Sequence, residues 1–558
     1  MTLLALAAVA VLVVGYLGWG RIVASRLGLD DTRPTPAVAR ADGVDFVPTP
    51  RFYLLSQHFS AIAAAGPIAG PILAAQLYGW GPALLWIALG VVLIGAVHDL
   101  SALLASVRHR AATIAELMRE HVGRGAWMAM MGFIWVALGY VLVAFTDITA
   151  ATFVGAAREL PDGTSFHPGG AVAFASVAYL SLALAMGLLR RRWPQAPLWL
   201  WTALFVPATG LVVWLGTLCS DWLVADARTW GFCILAYCFV ASLLPVWLLL
   251  QPRGYLGGFV LYAALGAGLV GMFLLDLPIE QPAFRTWQAP GPTGALFPFL
   301  FVTIACGACS GFHGLVCSGT TSKQIARESD CKPVGYGGML LEGLVAVIAL
   351  STVVTALDGE LTGKSPGRIY GDGLGRFVAA IVGPEHLLVA STFGAMAFST
   401  FVFDTIDVAA RLGRYVLQEL FGWRSRASAV LATALTLAPP ALALALTETA
   451  PGKPPAYTKF WTLFGTSNQL LAALTLLGVL VWLRAERRPS WFVALPCAFV
   501  LAMTLWALLV QLFGVADPVL RLTAAALLAL ALYVCGAAAR ALWRSAIRPR
   551  GTVSQTAG

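Results

Sequence analysis

Residues 66–76 read GPIAGPILAAQ, two Gly-Pro pairs four residues apart in one of the most apolar regions of the chain. Proline lacks an amide hydrogen and its ring clashes with the preceding turn, so each pair is able to interrupt a helix. Backbone groups freed inside hydrocarbon are tolerated only where protein or a water-lined cavity satisfies them. A helix broken here therefore marks a built interior if its surroundings are a membrane.

Those surroundings are strongly apolar. The chain has 558 residues, 59% of them hydrophobic and 11% charged, with a mean hydropathy of +0.81. A soluble domain carries about a quarter charged residues. Apolar runs of roughly 20 residues, the length that crosses a bilayer core of about 30 Å, recur from end to end. They predict an all-α polytopic membrane protein with about fifteen spans, near 2–20, 57–77, 82–107, 126–155, 170–189, 196–219, 231–250, 255–275, 295–318, 335–357, 387–410, 427–447, 461–483, 491–514 and 518–539. The first run has no basic start and no A-x-A cleavage site, so it reads as a span rather than a signal peptide. A single integral membrane domain covers 1–558, with a Pro-rich cytoplasmic loop at 21–56 and a basic cytoplasmic tail at 540–558. The longest loops, 21–51 and 358–386, are too short and polar to build a core of much size.

Charge sets the orientation. Loops after odd-numbered spans, with the C-terminal tail, hold 27 of the 36 Lys and Arg residues, loops after even-numbered spans hold 8, and Arg521 lies at the start of the last span. Positive residues favour the cytoplasm, which predicts an outside N-terminus and an inside C-terminus. The net charge of +9 follows from the same bias. Cytoplasmic Arg facing anionic lipid needs no nucleic-acid partner. The nine Cys, mostly in apolar segments, suggest small buried residues and no disulfide framework.

Several motifs fail on chemistry. GKS at 363–365 lacks the first glycine of a P-loop, which would fall at Asp358. Cys306, Cys309, His313 and Cys317 line one helical face and are zinc-ligand types. The ends of twelve helical residues lie roughly 16 Å apart, too far for one tetrahedral ion, so small-residue packing is the favoured reading. No hydrolytic constellation stands out, and no cofactor is expected. T-I-A-E at 113–116 is a capping box opening a short interfacial helix.

The polar material inside the spans is more telling. Apart from Arg521 near the start of the last one, the spans hold no Lys or Arg but five acids: Asp99, Asp147, Glu342, Asp404 and Asp407. Acids in hydrocarbon are costly and by default mark function. Asp407 lies four residues before Arg411, which suggests a structural ion pair. His98-Asp99 can be satisfied by hydrogen bonds within the bundle. Asp147 and Glu342 have no local basic partner. Embedded acids without embedded bases suit a protein that handles a cation, either H⁺ or Na⁺.

A second interrupted span reads CGACSGFHGLVCSGTT at 306–321, with Gly307, Gly311, Gly314 and Gly319 among Ser and Thr. The charge-derived topology runs it opposite to the 57–77 span. Two discontinuous spans of opposite direction are what an inverted-repeat transporter places at its midplane. Half-helix N-termini there can hold a carboxylate. GTSNQ at 465–469 opens the thirteenth span as a third polar segment near the same pathway. The reading requires that 66–71 not be continuous helix facing lipid.

At these residues the chain resembles the carbon starvation protein A family of bacterial membrane transporters. DDTRPTPAVARADGVDFVPT, HFSAIAAAGPIAGPILAAQ, GAVHD, LLPVWLLLQPRGYL, LFPFLFVTIACGACSGFHGLVCSGTTSKQ, GYGGMLLE, DTIDVAARLGRYVLQELFG and FWTLFGTSNQLLA follow in order along nearly the whole chain. The resemblance implies a secondary transporter of the bacterial cytoplasmic membrane that imports pyruvate or peptides when carbon is scarce, on a LeuT-like inverted-repeat core. His98 stands where members often carry Gln, so no role is carried over to it. SGTTSK replaces a more usual SGTTPK, Cys309 and Cys317 look particular to this chain, and the segment between spans 10 and 11 is short for the family.

The combined expectation is a cation-coupled symporter, with H⁺ ahead of Na⁺. Its small-molecule substrate would meet Gly66, Pro67, Gly70, Pro71, Gly307, Ser310, Gly311, His313, Ser318, Thr320 and Asn468. Coupling would fall to Asp147, Glu342, Asp404 or Asp99. A Na⁺-coupled carboxylate or amino acid transporter, a channel and a nutrient sensor are the alternatives.

Overall fold

A computed structural model describes residues 2–42, 46–160, 163–245, 247–275, 277–446 and 456–547. Of the expected tail at 540–558, residues 548–558 lie outside the described ones. Among the described residues, regular structure is helical apart from a two-stranded hairpin pairing Arg158–Glu159 with Ser165–Phe166 and isolated bridges. Among them, twelve helices are long and apolar enough to cross a membrane, or up to thirteen with one bent pair counted as a span. The first runs from Thr2 to Leu27.

All fifteen expected segments are helical, but three depart from a plain span. The 57–77 segment is α1 (Arg51–Ile62) and α2 (Gly66–Tyr78), bent by 49°. The 231–250 segment is the 17-residue helix Ala227–Leu243. The 295–318 segment divides into α7 and α8, described below. Downstream of α2 come α3 (Trp80–Arg108), α4 (Ile114–His121), α5 (Arg124–Thr152) and α6 (Leu250–Leu274). Then follow α7 (Leu296–Thr303), α8 (Gly311–Gly319), α9 (Gly337–Val354), α10 (Pro366–Val382), α11 (Leu387–Phe421) and α12 (Ala456–Ala485).

The break in the first pair sits at Ala63, Ala64 and Ala65, not at the prolines. Pro67 lies in the first turn of α2, where no intrahelical donor is missed, and Pro71 is carried inside the helix. Residues 66–71 are thus continuous helix, and all six are buried.

The segment 358–386, expected to be a polar loop, contains α10 packed along α11. Gly367, Gly371 and Gly375 lie four apart on one face. A Cβ on Gly371 would come within 2.8 Å of the Ala395 nitrogen, and one on Gly375 within 2.7 Å of Ser391 N. This spacing of small residues lets two helix backbones approach closely. The Pro-rich loop is also shorter than expected, running between Leu27 and Arg51. It straps across 321–330: Thr49 N–H donates to Gln324 O (3.0 Å), Ser329 N–H to Asp31 Oδ1 (2.8 Å), and Arg108 grips Glu328 through Nε (3.0 Å) and Nη2 (2.8 Å).

Three π-turns, Gly15–Trp19, Val91–Gly95 and Lys332–Tyr336, meet at one hydroxyl. A π-turn leaves carbonyls short of their usual partners. Tyr336 Oη–H donates to Val92 O (2.9 Å) and lies 3.2 Å from Gly15 O. As expected, α4 opens at Thr113, whose Oγ1 accepts from Glu116 N–H at 3.2 Å.

Candidate functional site

The two interrupted spans cross each other at their breaks. A Cβ on Gly66 would lie 2.3 Å from both Cβ and Sγ of Cys306, and one on Gly70 would lie 2.7 Å from Thr303 O. Gly307 packs less tightly on the start of α2, where its Cβ would sit in ordinary contact 3.4 Å from Pro67 Cα. From another side, a Cβ on Gly95 of α3 would meet Ala308 O at 2.3 Å. Glycine is required at Gly66 and Gly95 because backbone and side chain of the other break fill the space where any larger residue would go.

The break at 304–310 leaves polar backbone in a buried place, and α12 satisfies it. Trp461 Nε1–H donates to Thr303 O (3.1 Å), and Gln469 Nε2–H donates to Phe301 O (3.3 Å). Asn468 Oδ1 accepts from Phe312 N–H (2.9 Å) in the first turn of α8, while its Nδ2 donates to Ser310 Oγ and Cys306 Sγ (both 3.1 Å). The 465–469 segment therefore lies mid-helix rather than opening its span, and it backs directly on the break. Satisfied backbone of this kind is the condition for irregular structure at membrane depth.

One turn into α8, His313 bridges two acids. Its Nδ1 lies 2.9 Å from Asp99 Oδ2, and its Nε2 lies 2.8 Å from Glu342 Oε2. The second contact has ion-pair distance without hydrogen-bond alignment, so His313 Nε2 and both Glu342 oxygens have no hydrogen-bond partner. Asp99 Oδ1 takes a further contact from His98 Nδ1 at 2.7 Å. All four side chains are at most 1% exposed. His58, on α1, joins the same layer through Thr321 Oγ1 (2.9 Å). Nothing singled it out in the sequence beyond its place in an apolar run.

The remaining candidates are placed elsewhere. Ser318 Oγ donates to Gly314 O (2.7 Å) and accepts from Ile114 N–H (3.3 Å), and Thr320 Oγ1 donates to Val316 O (3.0 Å). Both belong to the far end of α8. Asp147 Oδ2 accepts from Tyr457 N–H (2.5 Å) in the first turn of α12, where a helix N-terminus favours negative charge. Cys317 donates to Asp99 O (3.6 Å), so Cys306, His313 and Cys317 each have partners of their own.

Two expectations about charge are overturned. Arg253, assigned to a loop between spans, lies in the first turn of α6 and is fully buried. Its Nε donates to Asp404 Oδ1 (2.6 Å), and its Nη1 donates to Tyr237 Oη (2.6 Å) and Asp407 Oδ2. Asp407 therefore pairs with Arg253 and not with Arg411, whose Nη2 donates to Ala241 O (2.7 Å) and Leu244 O (3.0 Å) at the end of Ala227–Leu243. Four of the five embedded acids do have embedded bases, His313 and Arg253, and Asp147 is left with the amide of Tyr457. The only sequence signal for Arg253 was the shortness of its loop, four residues between two apolar runs.

Comparison with known proteins is consistent across the whole chain. The family described as "Carbon starvation protein CstA" matches residues 1–366 and 359–507. The pyruvate/proton symporter BtsT of Escherichia coli is 31% identical over 91% of this chain and 81% of its own length. The peptide transporters CstA of Escherichia coli and Bacillus subtilis are each 32% identical, over 90% and 85% of this chain and 80% and 83% of their own. Among solved structures, the Eremococcus coleocola manganese transporter with an aromatic bis-isothiourea compound covers 90% of this chain and 99% of its own at 12% identity and a TM-score of 0.47. MhsT with L-phenylalanine covers 88% and 99% at 15% identity and a TM-score of 0.46.

Proposed function

The chain belongs to the carbon starvation protein CstA family, and on that premise we propose that it is a proton-coupled symporter importing pyruvate or short peptides. It is a multi-pass protein of the bacterial inner membrane. The observation that carries the reading is the buried relay Asp99–His313–Glu342, set one turn beyond the crossing of two broken spans. The substrate site lies beside the crossing, bordered by 66–71 and by the interrupted backbone of 304–311 with Ser310 and Asn468. A carboxylate substrate would take its hydrogen bonds from the amides at the start of α8. His313 can pass a proton between Nδ1 and Nε2, and so between Asp99 and Glu342. Asp404 and Asp407 are held by Arg253 and serve the scaffold. The two broken spans are the corresponding helices of an inverted-repeat core, with the N-terminus outside and the C-terminus inside.

Purified protein in liposomes should accumulate labelled pyruvate, or labelled di- and tripeptides, above equilibrium when an inward proton gradient is imposed. Accumulation under an inward Na⁺ gradient alone would replace the proton by Na⁺. Equilibration without accumulation would make the protein a channel, and no uptake of either substrate class would overturn the substrate assignment.

A further inference from the structure

Away from the crossing, the end of α3 and the end of α4 bring two imidazoles together. His109 Nε2 and His121 Nε2 are 2.8 Å apart, with the rings perpendicular at 86°. A carboxylate oxygen of Glu120 completes a set whose ligand atoms all lie within 4.8 Å of one another. Among the described residues this is the only such His/Cys/Asp/Glu trio.

Three features distinguish it from a chance contact. His109 Nδ1 lies 2.6 Å from Ala105 O, and a carbonyl only accepts, so Nδ1 carries the hydrogen and the Nε2 lone pair accepts from His121 Nε2–H, a hydrogen that a metal ion would replace once His121 carries its own on Nδ1. An Nδ1–H held by a carbonyl is the outer-shell arrangement of metal-ligating histidines. The turn that folds α4 back onto His109 places Arg110 and Ala111 at φ of 59° and 61°, a left-handed conformation costly for non-glycine residues. The edge of Trp482 from α12, with ring centroids 5.5 Å apart, walls one side of His109, while Glu120 is exposed on the open side. Glu486 is already committed to Trp482 Nε1 (2.8 Å) and Arg488 (2.9 Å), which leaves water for a fourth position.

We propose that His109, Glu120 and His121 form a binding site for a divalent transition metal of the zinc class, with an open fourth position. Ligands about 2.0–2.1 Å from such an ion stand roughly 3.3 Å apart in a tetrahedron. The two imidazoles need to part by a fraction of an ångström, and the exposed Glu120 carboxylate turns inward by rotamer change. Borderline-soft imidazole with one carboxylate suits Zn²⁺ or Co²⁺ better than Mg²⁺ or Ca²⁺. The site stands independently of the transport reading.

The test is equilibrium dialysis of the detergent-purified full chain against Zn²⁺, and visible spectroscopy with Co²⁺. The expected result is a single ion per chain, with tetrahedral Co²⁺ bands lacking thiolate charge transfer. His121→Ala should weaken binding by more than the roughly 10–100-fold that loss of a supporting hydrogen bond costs. Glu120→Gln, at an exposed position, should weaken it less and leave the thermal melt of the metal-free protein unchanged. Absence of a stoichiometric ion, affinity unchanged in both variants, or thiolate bands assigning the ion to cysteine would each overturn the site.

Discussion

Glu342 carries a buried carboxylate 2.8 Å from an imidazole to which it makes no aligned hydrogen bond. A buried acid with so little hydrogen bonding is costly to keep and therefore marks function. Glu342→Gln, which keeps shape and removes the titrating group, should abolish proton-driven accumulation in proteoliposomes while leaving substrate exchange within about twofold, less than 1 kcal/mol on the exchange barrier. Retained accumulation would move coupling to another acid. Arg253→Met tests the opposite role, because it leaves Asp404 and Asp407 buried without their cation. It should cost about 3–5 kcal/mol, read as a lowered melting temperature, and adding Asp404→Asn and Asp407→Asn should recover most of the loss. The acids were legible in the sequence because charge inside an apolar run stands out. Arg253 was not, since a charge at the end of such a run looks the same whether the helix starts before it or after it.

At the scale of elements, interruption was legible and its position was not. Proline and glycine mark a break, but a helix tolerates proline in its first turn, so the break fell at three alanines upstream of Gly66-Pro67. Gly66→Ala should drive Cβ into Cys306 and cost about 1–3 kcal/mol with loss of uptake. Adding Cys306→Gly, which removes both atoms in conflict, should restore uptake. Failure of that rescue would mean that Gly66 serves backbone freedom and not proximity. Helix α10 was missed because its charges and glycines resemble a loop. The period of four in Gly367, Gly371 and Gly375 was the available sign, and reading it needed a partner helix. Gly371→Val should separate α10 from α11 and lower the melting temperature, by a similar 1–3 kcal/mol or so.

The whole molecule was legible as a polytopic bundle from composition and run length alone, and the polar segments 306–321 and 465–469 both reach the crossing, where 66–71 meets the first of them. Their mutual contact was not legible, because nothing in a span's own sequence names its neighbour. Orientation can be tested directly: a green fluorescent protein fused after residue 558 should fluoresce, and an alkaline phosphatase fusion there should be inactive. The reverse outcome would invert the topology. Transport requires the path to open first to one side and then to the other, so some contacts between helices must be made and broken. A contact with no room for a methyl group resists sliding, since displacement along it meets the Cys306 side chain at Gly66 and the Thr303 carbonyl at Gly70. Where Gly66 and Gly70 abut Cys306 and Thr303, the two spans can only turn about each other like the arms of a pair of scissors. The surfaces that part during a cycle should then be those remote from the rivet, among them the strap in which Asp31, Arg108 and Glu328 close one end.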